Sequence, residues 1–490
     1  MMEEFPVSLG TRSFSRDDLH RFAALSGDAN PIHIDAGAAR RLGSSGAIVH
    51  GAQTLVWCLD RLAEWPGTIG TIASLRVNFD SFLPEDVAVE ARLVSHSPSR
   101  VLIEARAGDR LVMTAALGIG APATRMIEAK PDRVFAAATL LDPTADEIST
   151  MTGQIPFVAG PASWEAAFPH AGRMLGWPRV AALGAASTLV GMVCPGLYSI
   201  FNRIVFDSVG DDDDAALGFR SLSVDGGLRR VGLSAWGGGW AGNLTAMMRH
   251  RPVAQLPISA LAGLVAPDAF AGMTALVVGG SRGLGEVAAK LVAAGGGVPI
   301  VTYATGAADA GAVAAEIIGW GGQCHVMPLD VEQDLAPQLA ALPALPELLL
   351  HFATPAILPQ RGSALDVVRF QRYLRFYATS FHDLARLLMQ AGARNLAALY
   401  PSTVYVDARP PGLMEYAMAK AAGEVMCRDM IAAMPGFRAT ILRLPPLATD
   451  QNPQIPDMGD AAPRLLAGLR GMVDGGDAAL TEQGYTRRPI

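Results

Sequence analysis

The segment VNFDS at Val77–Ser81 recurs as IVFDS at Ile204–Ser208, and what surrounds each copy decides the fold. An apolar run at helical spacing precedes each copy. Around and after the first stand IASLRVNFDSF, VAVEARLVS, RVLIEARAG and RLVMTAALG; after the second come GFRSLSVD, RRVGLSAWGG and GNLTAMMRH. Alternation of apolar and polar residues at period two, broken by turn residues, predicts antiparallel strands. The unit is one long helix, beginning near HGAQTLVWCLDRL, and one curved sheet. Two copies predict a duplicated α+β fold. The Asp211–Asp214 run falls in a hairpin loop of the second copy. It reads as a solvated turn, because four successive carboxylates cannot converge on one ion.

After a Pro-containing connection over 252–267 the texture changes to MTALVVGG, a helix from Gly285, VPIVTYA, a helix from Gly311, QCHVMPLD and ELLLHFA. Strands alternating with helices predict a parallel sheet with crossover connections. The expected domains are therefore 1–125, 134–252 and 268–490. A chain of 490 residues has room for two to four cores. With 50% hydrophobic and 17% charged residues it is not disordered. Its 39 basic against 46 acidic side chains leave a net charge of -7, which gives phosphate backbones no footprint and excludes nucleic acid as a partner. Cys58, Cys194, Cys324 and Cys427 show no CxxC spacing, so neither zinc nor a disulfide framework is expected, and a reducing cytoplasm fits. The acidic start MMEEFPVSLG lacks the pattern of a secretory signal. The uncharged stretch Val180–Asn202 has spanning length but contains Gly184, Gly191, Pro195 and Gly196. It reads as a buried helix running into a strand, with no membrane partner.

Two constellations carry chemistry. The first lies in SGDANPIHIDAGAARRLGSSGAIVHG, residues 26–51, where Asp28, Asn30, His33 and Asp35 occupy a polar loop leading into the long helix. A carboxylate and an imidazole together can move the two protons that adding water across a conjugated thioester requires. The D-x-N-P-x-H-x-D core and the HG pair resemble the MaoC-like, (R)-specific enoyl-thioester hydratases of the hotdog fold, over residues 10–120. The resemblance implies that Asp28 and His33 are the acid–base pair. A backbone N–H at Gly51, at a helix start, would face a developing enolate oxygen. Asn30 orients the loop, Asp35 caps the next turn and His50 is a positioning residue. With VNFDS and IVFDS as register, Asp28 falls on Ile155 and His33 on Gly160, so the second copy is expected to be non-catalytic and to shape the acyl pocket. His170, in FPHAG, is by default a core or surface histidine. No metal is expected.

In the second constellation, the strand TALVVGG runs into GGSRGLGEVAAKLVAAG, so that Gly279, Gly283 and Gly285 form a G-x-x-x-G-x-G loop opening a helix, with Ser281, Arg282 and Leu284 between them. Such a loop lets a pyrophosphate approach backbone and helix N-terminus. Tyr416 and Lys420 stand four apart in EYAMAKAAGE, hence on one helix face, and Ser402 precedes Tyr416 by fourteen. A phenol is a poor acid and a worse base at neutral pH, and a nearby ammonium would lower its pKa. With LDV at Leu329–Val331, these features resemble the short-chain dehydrogenase/reductases over about 270–450. By that resemblance Tyr416 protonates the carbonyl oxygen, Ser402 hydrogen-bonds it, Lys420 also holds the nicotinamide ribose, and Asp330 and Val331 sit near the adenine. Tyr303 and Ala304 where an acidic residue would select NAD, and Arg282 in the loop, favour NADP(H) over NAD. Three departures stand out. HFAT at His351–Thr354 replaces an Asn-Asn-Ala-Gly turn, FYATSF at Phe376–Phe381 puts aromatics where an active-site asparagine is expected, and no last strand is evident after Pro445–Thr449, where QNPQIPDMGDAAP reads as loop.

The fold class implied is multidomain, an α+β double hotdog followed by an α/β Rossmann-type doubly wound parallel sheet. The implied activity is bifunctional: NADPH-dependent reduction of a 3-oxoacyl thioester to the (R)-3-hydroxyacyl compound, and its dehydration to the trans-2-enoyl thioester, with the intermediate shared at high local concentration. Coenzyme A or an acyl carrier protein would hold the acyl group, and the reductase half implies a homodimer. Two alternatives stay open: an active hydratase with an idle nucleotide-binding domain, and a non-catalytic carrier-binding scaffold.

Overall fold

The computed structural model describes residues 5–473 and 480–481, excepting 41, 43, 124–127, 137, 211–214, 252, 358–363 and 450–460. The Asp211–Asp214 run and most of QNPQIPDMGDAAP therefore lie outside the described residues. The chain divides into two compact units, Met1–His250 and Arg251–Ile490.

The first unit holds a ten-stranded antiparallel sheet. The first copy contributes β1 (Val7–Ser13), β2 (Ile72–Phe79), β3 (Ala88–Ser97), β4 (Arg100–Ala107) and β5 (Arg110–Ile119); the second contributes β6 (Thr152–Pro156), β7 (Ser199–Ser208), β8 (Ala216–Asp225), β9 (Arg230–Gly237) and β10 (Trp240–Met248). Their order, β1-β3-β4-β5-β2-β7-β10-β9-β8-β6, reads as one five-stranded pattern and its reverse. At the seam β2 pairs with β7, and Val77 faces Ile204, its own equivalent in the repeat. A residue paired with its equivalent is what a two-fold relation between the copies requires. Both copies thus share one sheet and one core.

Each copy wraps its sheet around a central helix, Gly51–Ala63 in the first and Trp177–Thr188 in the second. These helices are buried on nearly every face, from Ala52 to Asp60 and from Val180 to Thr188. Such all-round apolarity marks core helices rather than amphipathic surface ones. The uncharged Val180–Asn202 stretch is this second helix, a π-helical turn at Leu189–Val193, and the start of β7. Among the described residues no helix is long and apolar enough to cross a membrane.

One expectation is corrected here. The offset of 127 residues holds at the seam and along the two central helices but not upstream of them, because β6, the counterpart of β1, begins at Thr152. Ile155 lies in that edge strand, and Gly160 precedes the helix Pro161–Ala167, so neither is the counterpart of Asp28 or His33. The equivalent of the Asp28 loop is the segment after that helix, Phe168–His170.

The second unit is a parallel sheet with helices on both faces: β11 (Thr274–Val278), β12 (Val298–Tyr303), β13 (His325–Pro328), β14 (Leu348–His351), β15 (Leu396–Thr403), β16 (Phe437–Leu444) and β17 (Leu480–Thr481). The order β13-β12-β11-β14-β15-β16-β17 reverses between β11 and β14. That is the doubly wound topology, which places ligands at the carboxyl ends of the strands where the order reverses. The last strand, not evident in the sequence, exists as two residues of β17 pairing with Leu442 and Arg443. Its shortness explains why periodicity did not reveal it.

Candidate active sites

The Asp28 loop is built by local signals. Ser15 and Asp18 form a capping box that starts the helix Arg16–Ser26, and Gly27, at φ 89°, ends it in the left-handed conformation. Asn30 caps the next turn, accepting from the Ile32 N–H at 3.2 Å, with Pro31 at the first helical position. The chain thereby turns Asp28 and His33 toward one cleft. Asp35 accepts from the Gly37 N–H and caps the following turn.

His33 Nε2 stands 3.8 Å from Asp28 Oδ2. Its Nδ1 is 2.6 Å from the Ile48 carbonyl, which can only accept, so Nδ1 carries the proton and Nε2 presents its lone pair. Asp28 is 1% exposed and accepts from the Ser187 hydroxyl at 2.7 Å and the Asn30 N–H at 3.2 Å. Burial raises its pKa against the lowering influence of His50 and those hydrogen bonds. Burial takes His33 down to about 4, so its imidazole is neutral at physiological pH. His50 donates from Nε2 to the Asp28 carbonyl at 2.9 Å and stacks on His33, with ring centroids 3.8 Å apart and planes 23° apart. It positions the pair. Asp28, His33 and His50 bring donor atoms within 4.8 Å of one another. Two nearly parallel stacked rings, however, hold their lone pairs in parallel planes and converge poorly on one ion, so the cluster suits proton transfer better than metal binding.

The cleft, roughly 640 Å3 with its open mouth included, is walled by Ile48, Phe79, Met113, Val190 and Phe201 beside the polar pair. Gly51 lines it at the start of the central helix, where its N–H has no acceptor within the helix. A Cβ at Gly51 would lie 2.8 Å from the Phe79 ring, so glycine here lets that ring close the wall. The second copy reaches in as well. Besides Ser187, a Cβ at Gly191 would sit 2.6 Å from Asp28 Oδ1, and the Gly191 carbonyl accepts from Asn30 Nδ2 at 2.5 Å. Motif reading missed Ser187 and Gly191; no local signal marks them.

The mirrored position in the second copy has been converted. Asp60, equivalent to Ser187 at the same offset, accepts from the backbone N–H groups of His170 and Ala171 at 2.7 and 2.9 Å, and Glu64 pairs with His170. Fully buried Trp240 stacks 6.1 Å from Phe206, the counterpart of cleft-lining Phe79. His170 serves a clasp between the copies.

In the second unit the glycine loop is a close-packed cradle. Gly279 has φ 75°, and a Cβ there would lie 2.8 Å from the Ala353 nitrogen; one at Gly285 would lie 2.3 Å from the Gly279 carbonyl oxygen. The loop opens the twelve-residue helix Gly283–Ala294, whose N-cap Arg282 makes no side-chain cap and is exposed, while Ser281 and Leu284 are half-buried beside it. Free N–H groups at a helix start fit a dinucleotide pyrophosphate. Asp330 shapes its own turn, accepting from the Glu332 N–H and donating its N–H to Gln338, and Val331 is buried in the core.

The Ser402, Tyr416 and Lys420 set departs from expectation. Ser402 donates to Glu424 at 2.5 Å, and Glu424 is held at both oxygens by Arg443. The side chain that lowers the Tyr416 pKa, against the larger effect of burial, belongs to the next residue, Thr403. Successive strand residues point to opposite faces, so the adjacent position carries the hydroxyl to the tyrosine. Burial raises the Tyr416 pKa. The Lys420 amine donates to the Pro401 carbonyl at 2.6 Å and lies 4.0 Å above the ring of Tyr377 and 5.3 Å from that of Tyr400; burial brings it to about 7. Tyr377 belongs to the FYATSF segment, on a π-helical turn at Arg375–Thr379, and its hydroxyl pairs with Thr354 at 2.6 Å. The aromatic faces that replace an asparagine are what hold the lysine. His351, ending β14, is buried against Ser380 at 3.1 Å.

Residues 3–111 match the family described as MaoC like domain. No curated protein matches the chain significantly. Among solved structures, a dehydrogenase/reductase of Sinorhizobium meliloti is 23% identical, covering 44% of this chain and 93% of its own, with a TM-score of 0.36. A FolM alternative dihydrofolate reductase of Brucella suis, in complex with NADP, is 19% identical over 41% and 88%, TM-score 0.35. A gluconate 5-dehydrogenase of Burkholderia cenocepacia, in complex with NADP and tartrate, is 17% identical over 42% and 90%, TM-score 0.38. The doubly wound fold of the second unit follows from its own strand order.

Proposed function

We propose that the chain is a bifunctional enzyme of acyl-thioester chemistry, whose MaoC-like half adds water to, or removes it from, a trans-2-enoyl/(R)-3-hydroxyacyl thioester. The observation that carries this reading is the buried pair itself, a neutral His33 with its Nε2 lone pair 3.8 Å from Asp28. One water can hydrogen-bond both groups. In hydration, His33 takes a proton as the water oxygen bonds to C3, and Asp28, whose burial favours the protonated carboxyl, delivers its proton to C2. The proton on His33 then returns to Asp28, and dehydration reverses each step. The Gly51 N–H faces the thioester oxygen as negative charge develops on it. The apolar wall receives the acyl chain, carried on coenzyme A or a carrier protein.

The second unit, in this reading, reduces the 3-oxoacyl thioester. Gly279, Gly283, Gly285 and Ser281 would hold the pyrophosphate of NADP(H), and Arg282 its 2′-phosphate. The bound cofactor supplies a hydride. Tyr416 gives its proton to the carbonyl oxygen, and Thr403 holds that oxygen by a hydrogen bond. A second reading, dinucleotide binding without turnover, is favoured by one observation: Lys420 is engaged by Pro401 and Tyr377 rather than by Tyr416.

Water addition to crotonyl-CoA, followed by loss of the conjugated thioester absorbance, tests the first half; the activity is expected to vanish in Asp28→Asn. NADPH oxidation with acetoacetyl-CoA, abolished by Tyr416→Phe, tests the second. NADPH binding without oxidation would replace reduction by the second reading, and no hydration by folded wild-type protein on either carrier would overturn the first.

A further inference from the structure

Arg249 follows β10 at the end of the second copy, outside every motif. Its backbone N–H donates to the Tyr198 carbonyl at 2.6 Å; its guanidinium donates to the Leu197 carbonyl at 2.6 Å and the Ser199 carbonyl at 3.3 Å, and lies 5.4 Å above the Tyr198 ring. Among the described residues no carboxylate pairs with it. A half-buried guanidinium without a counter-ion is costly, and such groups concentrate at functional sites. The carbonyl it grips belongs to the active-site scaffold, because Asn30 Nδ2 donates to the same Leu197 oxygen at 3.3 Å while the Asn30 N–H holds Asp28. Ser199, Ile200 and Phe201, which line the cleft, follow directly.

We propose that Arg249 is a positioning residue of the Asp28–His33 site, fixing the Leu197–Ser199 segment against Asn30 and setting an uncompensated positive charge behind the cleft wall. The proposal rests on the hydratase reading above. The charge acts in two ways. It opposes protonation of His33, alongside burial, while the groups directly on that imidazole are Asp28, the stacked His50 and the Ile48 carbonyl. It also favours the transition state, in which negative charge appears on the thioester oxygen, over the neutral ground state. Arg249 itself, brought to about 10 by burial, stays charged at neutral pH.

The test compares Arg249→Met and Arg249→Gln with Arg249→Lys in the full chain. Crotonyl-CoA hydration gives kcat and KM, and NMR of the His33 ring, assigned through His33→Gln, gives its titration midpoint. The neutral variants are expected to lose roughly tenfold or more in kcat with KM little changed, and to show a higher His33 midpoint; lysine restores the midpoint and most of kcat. Equal losses in all three folded variants with an unmoved His33 midpoint would show a packing role and overturn the proposal, as would unchanged kcat in the neutral variants. Should wild type fail to hydrate crotonyl-CoA, the hydratase reading falls on its own, and the His33 midpoint alone then decides for or against the electrostatic coupling.

Discussion

Gly191→Ala probes whether the second copy holds the Asp28 carboxylate of the first, which we propose to be catalytic. The added methyl would sit 2.6 and 2.8 Å from the two Asp28 carboxylate oxygens, and contacts under 3.0 Å do not persist. The π-helical turn Leu189–Val193 resists retreat, since the Gly191 carbonyl is gripped by Asn30. The carboxylate must therefore give way by about half an ångström or more, against its bonds from Ser187 and Asn30. Displacements approaching 1 Å in a reacting group cost about 10²-fold in rate. Overpacking a buried site costs about 1–3 kcal/mol, which for a unit of this size lowers Tm by a few degrees rather than unfolding it. The expected result is a loss of roughly 10²-fold in kcat/KM for crotonyl-CoA hydration, in protein that still melts cooperatively, with NADPH binding intact. Activity within about threefold of wild type would refute the claim that Gly191 fixes Asp28.

Three further predictions concern pH and the second unit. His33 at about 4 and His50 at about 3 in the fold, against an ordinary value near 6.5, mean that the unfolded chain binds more protons between those values; stability of the first unit should fall as pH drops from about 6.5 to 4, by about 2 kcal/mol per histidine at pH 5, and His50→Phe should flatten the loss in urea titrations. Thr403→Val should abolish acetoacetyl-CoA reduction while Ser402→Ala retains it, at a stability cost of about 1–3 kcal/mol for taking a donor from buried Glu424; the reverse order of activities would restore Ser402 to the role its motif suggests. Gly285→Ala, whose methyl would meet the Gly279 carbonyl oxygen at 2.3 Å, should eliminate NADPH fluorescence enhancement while leaving crotonyl-CoA hydration unchanged.

How much of the site was legible depended on whether its determinants were local. Asp28, Asn30 and His33 lie within one capped loop, so chain geometry alone brings them together. The glycine loop was equally legible, because its close contacts, Gly285 against Gly279 among them, lie within a few residues. That Ser402 donates to Glu424 was not legible, because a fourteen-residue spacing across strand, turn and helix does not say which strand face meets the tyrosine. The contacts of Lys420 were not legible either, because its partners, Tyr377 and Pro401, arrive from other elements. The equivalence drawn from a constant offset failed because the segment between β6 and β7 is shorter than that between β1 and β2.

Periodicity, the VNFDS repeat and the turn residues determined by themselves that this chain is a duplicated α+β unit followed by a doubly wound α/β unit, because side-chain alternation and helical spacing are properties of the backbone near each residue. The chemical type of both constellations was fixed at the same level. Only the tertiary structure decided which groups those residues touch. Ser187 reaches Asp28 from 159 positions away, and Trp240 stacks on Phe206. Contacts of that separation are set by how the copies pack across the β2–β7 seam, and no local pattern encodes them.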